Sequence, residues 1–308
     1  AEPEKRRNWL RHRRSGIGGS DSPGVLGLVP WKAAAALAVE KMTLPEPDAE
    51  EGEERPDEEN EAMEWGRRLE APIAVALGER TGRLVELAPA YEIVRSKERP
   101  WVFCTPDAFQ AMGLQLVGHG QGLVQIKTTG ARHAKEWAVE PPLAYQVQLQ
   151  HEMHVLGMTW GTLACLIGGQ RLVWFDCEAN PEFVSALLER LEDFWRAVQE
   201  RRLPDVDGSE ATARFLARLH PVDRGTDVAL GPEFEEIDQR LQVVKAEFKA
   251  LENEKRLLEN QLKAALGEHS LGILPSGVSY TWKPQTAKEH VVRESTFRVL
   301  RRRALIED

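Results

Sequence analysis

The sequence predicts an α/β fold, in which a mixed β-sheet is flanked by helices. Short runs rich in β-branched and aromatic residues alternate with segments of helical period through the first two thirds of the chain. Strand runs interrupted by helices are typical of a sheet packed between helices. At 308 residues the chain is long enough for one large core and an appended element.

The expected helices cover residues 21–42, with a local break at Pro30, and residues 65–80, 142–156 and 181–202. The last of them has Asn180 as N-cap and a proline at its first position, where the missing N–H costs nothing. The expected strands cover residues 83–88, 91–95, 100–104, 114–117, 122–128, 161–167 and 171–176. We expect residues 100–104 to form a hairpin with residues 122–128.

The composition changes after Pro204, so we expect a first domain at residues 1–205, a linker at 206–231 and a C-terminal extension at 232–308. The extension has heptad spacing, which predicts a coiled coil or a long helical hairpin. Its apolar seam positions are Phe234, Ile237, Leu241, Val244, Phe248, Leu251, Leu258, Leu262 and Ala265, interrupted by Lys255. A small hairpin around Gly277 and a last basic helix capped by Ser295 are expected to follow. The sequence leaves open whether the seam packs within the chain, on another subunit or on a different protein.

The composition excludes several classes of protein. No run approaches the roughly 20 apolar residues of a membrane span, and the Arg-rich start lacks the apolar segment of a signal peptide. We therefore expect no membrane partner and a cytoplasmic location, in the bacterial host if a phage encodes the chain. The three cysteines form no CxxC pair, so neither a disulfide framework nor a zinc site is expected.

The formal net charge of −9 is unevenly distributed. Residues 45–64 contain eleven acidic residues against a single arginine, and the rest of the chain sums to about +1. We interpret this segment as a solvated surface loop, with DNA mimicry or gating as the alternative. The first twenty residues are net positive, as contact with phosphate requires.

A candidate catalytic motif lies between Thr105 and Lys127. Thr105-Pro106-Asp107 is followed eighteen residues later by Gln125-Ile126-Lys127 in an apolar strand. Side chains two residues apart on a strand share a face, so Gln125 and Lys127 point the same way. Oxygen ligands in this arrangement hold Mg²⁺, which lowers the pKa of a water molecule and offsets phosphate charge. The pattern is the outline of a PD-(D/E)xK nuclease site with one acid replaced by its amide.

Three further segments accompany this motif. Arg13 to Asp21 reads R-x-x-G-I-G-G-S-D, Trp65 to Glu70 reads W-G-x-x-x-E, and Tyr145 to Met153 reads Y-x-x-Q-x-Q-x-x-M. In the last segment, which we expect to be helical, Tyr145, Gln148 and Glu152 share one face. In this order the four segments resemble the YqaJ-type viral recombinase nucleases, the lambda exonuclease family of the PD-(D/E)xK superfamily. The resemblance covers residues 9 to 205 and implies a restriction-endonuclease-like core.

The resemblance also assigns roles to individual residues. It implies that Glu70, Asp107 and Gln125 face a Mg²⁺ ion, or Mn²⁺ in its place, and that Lys127 is the catalytic lysine. Gln148 and Tyr145 face the metal centre from their helix. The expected ligands of a DNA 5′ phosphate are Arg13 or Arg14, Ser20 and, as an assistant, Thr105. We favour Arg13 because of its seven-residue distance from Ser20.

The chain departs from the family at Gln125, where the pattern has Glu. An amide oxygen coordinates a metal but brings no negative charge, and hard cations prefer anionic oxygens. We expect weaker metal binding and impaired hydrolysis. A laboratory substitution and a naturally altered enzyme both explain the amide, and the intact remainder of the catalytic set favours the first.

The resemblance implies a Mg²⁺-dependent 5′→3′ exonuclease on double-stranded DNA ends that makes single strands for recombination. It also implies a homo-oligomer, a trimeric ring, and a single-strand annealing protein as partner. Two alternatives stay open: a catalytically dead protein that binds DNA ends or serves as a scaffold, and an endonuclease of the same fold.

Overall fold

The computed structural model describes residues 2–43, 61–111, 120–223 and 225–286. Most of the acidic segment, the strand expected at 114–117 and the last basic helix lie outside these residues. The chain divides into two compact units, Ala1–Leu219 and His220–Asp308.

The secondary structure of the described residues alternates helices and strands. The helices are α1 (Glu2–Arg14), α2 (Ser22–Val25), α3 (Ala34–Met42), α4 (Glu61–Thr81), α5 (Leu143–Leu156), α6 (Pro181–Gln199), α7 (Glu210–Leu219) and α8 (Glu233–Leu266), with a 3₁₀ helix at Ala131–Trp137. The strands are β1 (Ile17–Gly18), β2 (Leu84–Leu87), β3 (Val94–Arg95), β4 (Val102–Cys104), β5 (Ala108–Ala111), β6 (Gly122–Thr129), β7 (Trp160–Ile167), β8 (Arg171–Glu178), β9 (Leu271–Ile273) and β10 (Ser279–Thr281).

The main sheet has five strands in the order β2-β5-β6-β7-β8. Only the central pair, β6 and β7, is parallel, and α5 makes the crossover between them. Such a crossover needs a helix-length connection, whereas the antiparallel neighbours are joined by shorter segments. The sheet is mixed and flanked by helices, which confirms the predicted α/β class.

The two faces of the central strands are covered by different helices. Val124 and Ile126 of β6 pack with Ile73 and Leu77 of α4. The alternate residue Leu123 packs on the other face with residues of α5. Because side chains alternate along a strand, Gln125 and Lys127 share the face of Leu123 and point toward α5.

The expected hairpin between residues 100–104 and 122–128 is wrong. β4 pairs instead with β1 and β3 in a separate three-stranded sheet, and β5 is the antiparallel neighbour of β6. The chain leaves one sheet and enters the next at Thr105-Pro106-Asp107. Pro106 has no N–H to donate to a ladder, so this tripeptide separates the strands.

The helical region expected at 21–42 is interrupted around Pro30, as predicted, but the interruption is longer than a local break. α2 ends at Val25 and α3 begins at Ala34. Gly27 has a φ of 69°, in the left-handed region that ends a helix, and Pro30 lies in the connection. The interruption therefore separates α2 from α3.

α7 lies within the range in which the sequence predicts a linker. Its residues Ala211, Thr212 and Phe215 are buried, and it belongs to the first compact unit. In the second unit, α8 is 34 residues long and its seam side chains are exposed, with Phe248 63% and Leu251 62% accessible. β9 and β10 pair antiparallel after it. Among the described residues there is no helix with the length and apolar character needed to span a membrane.

Candidate active site

Asp107 occupies the junction that precedes β5, where it is half-buried. Its Oδ2 accepts a hydrogen bond of 2.8 Å from the backbone N–H of Ile126 and one of 2.5 Å from Nε2 of Gln125. The first of these bonds ties the Pro106-Asp107 corner to the middle of β6. The structure therefore brings the two halves of the sequence motif together, although the intervening strand pairing differs from the prediction.

Lys127 lies two residues beyond Gln125 on the same face of β6. Its Nζ is 5.3 Å from the centre of the Tyr145 ring of α5, within the range of a cation–π contact. Tyr145 is in turn stacked on Trp137 at 5.4 Å. This aromatic pair fixes the position of the ammonium group beside the carboxylate of Asp107.

The helix α5 contributes two buried polar side chains to the same region. Gln148 is 7% exposed and Glu152 is 1% exposed. Nε2 of Gln148 donates a 2.9 Å hydrogen bond to Oε1 of Glu152 one turn later. The sequence places Glu152 on the helix face of Gln148 but indicates no role for it, because the motif leaves position 152 unspecified. The available signal was a carboxylate on the same helix face as Tyr145 and Gln148.

The acidic groups of this site hold protons more tightly than usual. Burial, followed by repulsion from Asp107, raises the pKa of Glu152 to about 8 and that of Glu70 on α4 to about 7. Burial also raises the pKa of Asp107, against the opposing attraction of Lys127. The pKa values of these three carboxyl groups are raised although Lys127, and Arg67 at Glu70, oppose the shift, so the place has a deficit of positive charge.

A bound cation would offset this deficit of positive charge, and two oxygen atoms without hydrogen-bond partners are consistent with such an ion. Oε1 of Gln125 and Oε2 of Glu152 are buried and have no hydrogen-bond partner. Such oxygens cost free energy unless something satisfies them, and oxygen donors are the ligands of Mg²⁺ and Mn²⁺. In the described part of the chain no three Asp, Glu, His or Cys side chains are arranged to hold a metal ion. A cation here would therefore need the amide of Gln125 among its ligands.

The residues expected to bind a 5′ phosphate form a second cluster. Nη2 of Arg13 donates a 3.0 Å hydrogen bond to Oγ of Ser20, and the guanidinium lies 4.6 Å from the Trp9 ring. Nε1 of Trp9 donates to Oγ1 of Thr105 at 3.1 Å. Arg13, Ser20 and Thr105 are thus linked through Trp9, whereas Ser20 is bonded to Arg13 and not to Arg14.

Asp21, the last residue of the N-terminal motif, has no role assigned from the sequence, yet its buried carboxylate supports this cluster. Asp21 is 1% exposed, and its Oδ2 accepts hydrogen bonds from Nζ of Lys41 at 2.7 Å and from the Gly18 N–H at 3.1 Å. Burial alone would raise the pKa of Asp21, but Lys41, Arg13 and Lys32 together lower it well below the usual range. Lys41 also donates to the carbonyl of Arg13 at 2.6 Å, which fixes the backbone that carries the guanidinium.

The two clusters meet at Gly19 and at His151. A Cβ at Gly19 would overlap the carboxyl group of Glu152, so only glycine permits this approach. His151 of α5 bonds Ser22 at 2.7 Å and the carbonyl of Phe103 at 2.8 Å. Because a carbonyl only accepts, Nε2 of His151 carries the proton and Nδ1 accepts from the Ser22 hydroxyl. The loop of the phosphate cluster is therefore packed directly on the helix of the acidic cluster.

Similar proteins are known both by sequence and by structure. Residues 8–159 match the YqaJ-like viral recombinase domain. The uncharacterized protein YqaJ of Bacillus subtilis (strain 168) is 30% identical over 284 residues, which cover 91% of this chain and 83% of that protein.

Two solved structures of LHK-Exo, an alkaline exonuclease from Laribacter hongkongensis, are also similar. The structure in complex with dAMP has 16% identity and a TM-score of 0.46, and covers 70% of this chain and 98% of its own. The other has 17% identity and a TM-score of 0.46, with 69% and 99% covered.

Proposed function

Because this chain belongs to the YqaJ-like viral recombinase domain family, we propose that it is a metal-dependent deoxyribonuclease that acts at the ends of double-stranded DNA. The proposed reaction degrades one strand in the 5′→3′ direction and leaves a single strand for recombination. The observation that carries the proposal is the contact between two clusters: the acidic and amide groups around Asp107, and the Arg13–Ser20 pair packed against them through Gly19.

The acidic cluster would hold the cation and position the nucleophile. Asp107, Gln125 and Glu70 are the proposed ligands of Mg²⁺ or Mn²⁺. When bound, such a cation lowers the pKa of a water molecule and offsets charge on the scissile phosphate. Lys127, fixed over the Tyr145 ring, would orient the attacking water, and Gln148 would hold the reacting groups from the side of α5.

The phosphate cluster would set the direction of the reaction. An arginine offers a planar fork that binds phosphate oxygens in a bidentate manner, and Ser20 adds a hydroxyl donor. A 5′ phosphate held by Arg13 and Ser20 would place a phosphodiester bond of the same strand near Asp107. A cleft lined by Lys5, Trp9, His12, Tyr91 and Arg95 adjoins this cluster, and its cationic and aromatic side chains suit a DNA strand.

Gln125 would reduce the activity of the chain as it stands. Its amide N–H₂ is directed at Asp107 and holds the carboxylate without supplying charge. Replacement of the expected Glu by Gln is what a laboratory substitution would introduce, and a naturally altered enzyme would have the same residue.

The test is to compare the present chain with Gln125→Glu on linear duplex DNA in the presence of Mg²⁺ or Mn²⁺. We expect little hydrolysis by the present chain and cation-dependent release of nucleotides from 5′ ends by Gln125→Glu. Lys127→Met in the Gln125→Glu background is the control, and it should be inactive. Absence of hydrolysis in Gln125→Glu would contradict the proposal, and cleavage of covalently closed circles would indicate an endonuclease.

A second candidate function is a DNA-end-binding protein without catalysis. The hydrogen bond from Gln125 to Asp107 favours it, because it partly satisfies the carboxylate in the absence of a cation. DNA affinity should then persist and fall with salt at a log–log slope of about −0.9 per neutralised phosphate. Full affinity combined with an inactive Gln125→Glu variant would favour this function over the nuclease.

We also propose that α8 mediates assembly, either of this chain into the oligomer that its family resemblance implies or with an annealing protein. The exposed seam of Phe248 and Leu251 is costly in water unless a partner covers it. Deletion of residues 225–308 should leave the first unit folded and lower the mass in solution. Substituting Leu241 and Leu251 by Asp in the full chain should have the same effect on mass, whereas Lys249→Asp, on the exposed flank, should not.

A further inference from the structure

We propose that Glu152 is a ligand of the cation at this site and supplies the carboxylate that position 125 lacks. This inference deepens the proposed function, since it concerns the ion that the proposed nuclease would use. The sequence pattern that identifies the site gives Glu152 no role, and the residue is recognised only from its surroundings in the structure.

The burial of Glu152 indicates that its carboxylate needs a partner. The side chain is 1% exposed and lies on α5, the helix that covers the Gln125 face of β6. Carboxylates are almost never fully buried unless they are paired or bind a metal. Its hydrogen-bond partner is the neutral amide of Gln148, which donates to Oε1 and so satisfies one oxygen but supplies no charge.

Two buried oxygens near this carboxylate lack hydrogen-bond partners. Within the described ranges, the buried side-chain atoms that lack a hydrogen-bond partner are Oε1 of Gln125 and Oε2 of Glu152. Both belong to residues whose remaining polar atom is already held, by Asp107 and by Gln148 respectively. Orphaned buried oxygens are uncommon, and a single cation bound near Asp107 would satisfy both of them.

The residues around Glu152 hold its carboxyl group in place. Gly19 approaches the carboxyl group of Glu152 so closely that no side chain fits between them. The carboxyl group is therefore held in place by backbone on one side and by Gln148 on the other. It also experiences the charges of Asp107 and Lys127, which places it within the acidic cluster rather than in a separate pocket.

A pair of carboxylates, Asp107 and Glu152, would thus bring two negative charges to the cation, with the Gln125 amide as a neutral oxygen donor. This count explains how a site with Gln at position 125 retains cation binding. Glu152 would then replace Glu70 of α4 as the second acidic ligand, because among the described residues no three acidic side chains are grouped to hold one ion. Glu70, which is half-buried, would influence the site through its charge.

The experiment measures Mn²⁺ binding directly on the full chain, from the loss of the free-ion electron paramagnetic resonance signal, and melting temperature with and without Mn²⁺. Glu152→Gln keeps the shape and removes the charge, and Glu189→Gln, an exposed acid on α6, is the matched control. We expect Glu152→Gln to weaken Mn²⁺ binding about tenfold or more and to remove the Mn²⁺-dependent rise in melting temperature. Glu189→Gln should change neither.

Melting without Mn²⁺ separates a ligand from a structural residue. Without the cation, Glu152→Gln should melt at the same or a higher temperature, because it removes a buried carboxyl beside Asp107. Unchanged Mn²⁺ affinity in Glu152→Gln, or no Mn²⁺ binding by the present chain, would overturn the inference. If Glu152→Gln does not fold, Glu152→Asp retains the charge but withdraws it by one methylene, and unchanged affinity there would equally overturn it.

The outcome is distinguishable from failure of the proposed function. Loss of Mn²⁺ binding in Glu152→Gln together with an inactive Gln125→Glu variant would support the cation site and reject the nuclease. Active Gln125→Glu with unchanged Mn²⁺ affinity in Glu152→Gln would support the nuclease and reject the role of Glu152.

Discussion

Asp21 and Asp107 are both withdrawn from water in the first unit, yet their surroundings differ in charge. Asp21 is paired with Lys41, Lys32 and Arg13, at 2.7, 3.4 and 3.7 Å. Asp107 has the Gln125 amide and the Ile126 N–H as hydrogen-bond partners, with the carboxyls of Glu70 and Glu152 as neighbours. The same type of side chain therefore has a lowered pKa at one place and a raised pKa at the other.

The difference separates a completed structural cluster from a site that lacks a charge. At Asp21 the chain itself supplies the cations, so the group contributes to the fold and holds Arg13 in place. At Asp107 the chain supplies oxygens and little positive charge, which is the arrangement expected where an ion or substrate completes the balance.

Removing the main cation of the Asp21 cluster should destabilise the fold most. Lys41→Met leaves a buried carboxylate without its closest partner, and we expect a loss of about 3–5 kcal/mol in the free energy of unfolding. Lys32→Met is the control, because Lys32 is 27% exposed and also pairs with Glu40 on the surface, so its loss should be about 1 kcal/mol or less. Urea denaturation at pH 7 measures both, and equal losses would show that Asp21 does not depend on Lys41.

Acidification should weaken the contact between the two clusters through His151. Burial lowers the pKa of His151 to about 4, against about 6.5 in an unfolded chain. The folded state thus binds fewer protons between these values, so this contribution is complete above pH 6.5 and is lost as the pH falls toward 4.

The difference in unfolding free energy between the present chain and His151→Gln isolates this contribution from the acids of the site. It should shrink by about 3 kcal/mol from pH 7 to pH 4. A difference that does not vary with pH would mean that His151 is not the neutral link between Ser22 and Phe103.

The Asp21 cluster should affect catalysis through Arg13. In the Gln125→Glu background, ends with a 5′ phosphate should be degraded about tenfold faster than ends with a 5′ hydroxyl, as one charge-assisted contact allows. Arg13→Ala should abolish the preference, and Arg14→Ala should keep it. Initial rates on matched oligonucleotide duplexes decide this, and a preference lost only in Arg14→Ala would reverse the assignment.

Neutralising Asp107 should have the opposite sign to neutralising Asp21. Without divalent cation at pH 8, Asp107→Asn should leave the free energy of unfolding unchanged or raise it by up to about 1 kcal/mol, since it relieves repulsion among carboxylates. Asp21→Asn under the same conditions should lower it, because Lys41 is left buried without its partner. Thermal or urea denaturation in the presence of a chelator measures both, and a clear loss in Asp107→Asn would mean that Asp107 stabilises the fold as Asp21 does.

Some residues of the candidate site could be predicted from the sequence, and others could not. Asp107, Gln125 and Lys127 were found because the short Pro-Asp and Gln-x-Lys signals lie close to predicted strands. The two-residue period of a strand then places Gln125 and Lys127 on a common face. Glu152 was placed on the correct helix face but received no role, since its burial and its charged surroundings depend on Gly19 and Asp107, which are distant in sequence. The Asp21–Lys41 ion pair was not predicted, because a charged side chain on an expected helix is normally solvated.

The sequence by itself determined the family, the α/β class and the helical period of elements such as α6, because these depend on motifs and local repeats. Only the tertiary structure decided that β4 leaves the main sheet, that Ser22 meets His151 across 129 positions, and that one oxygen of Gln125 and one of Glu152 are buried without a hydrogen-bond partner. Strand pairing and the burial of charge depend on how distant segments close on one another. The free energy of a carboxylate is set by the charges that surround it after folding, and no local pattern records them.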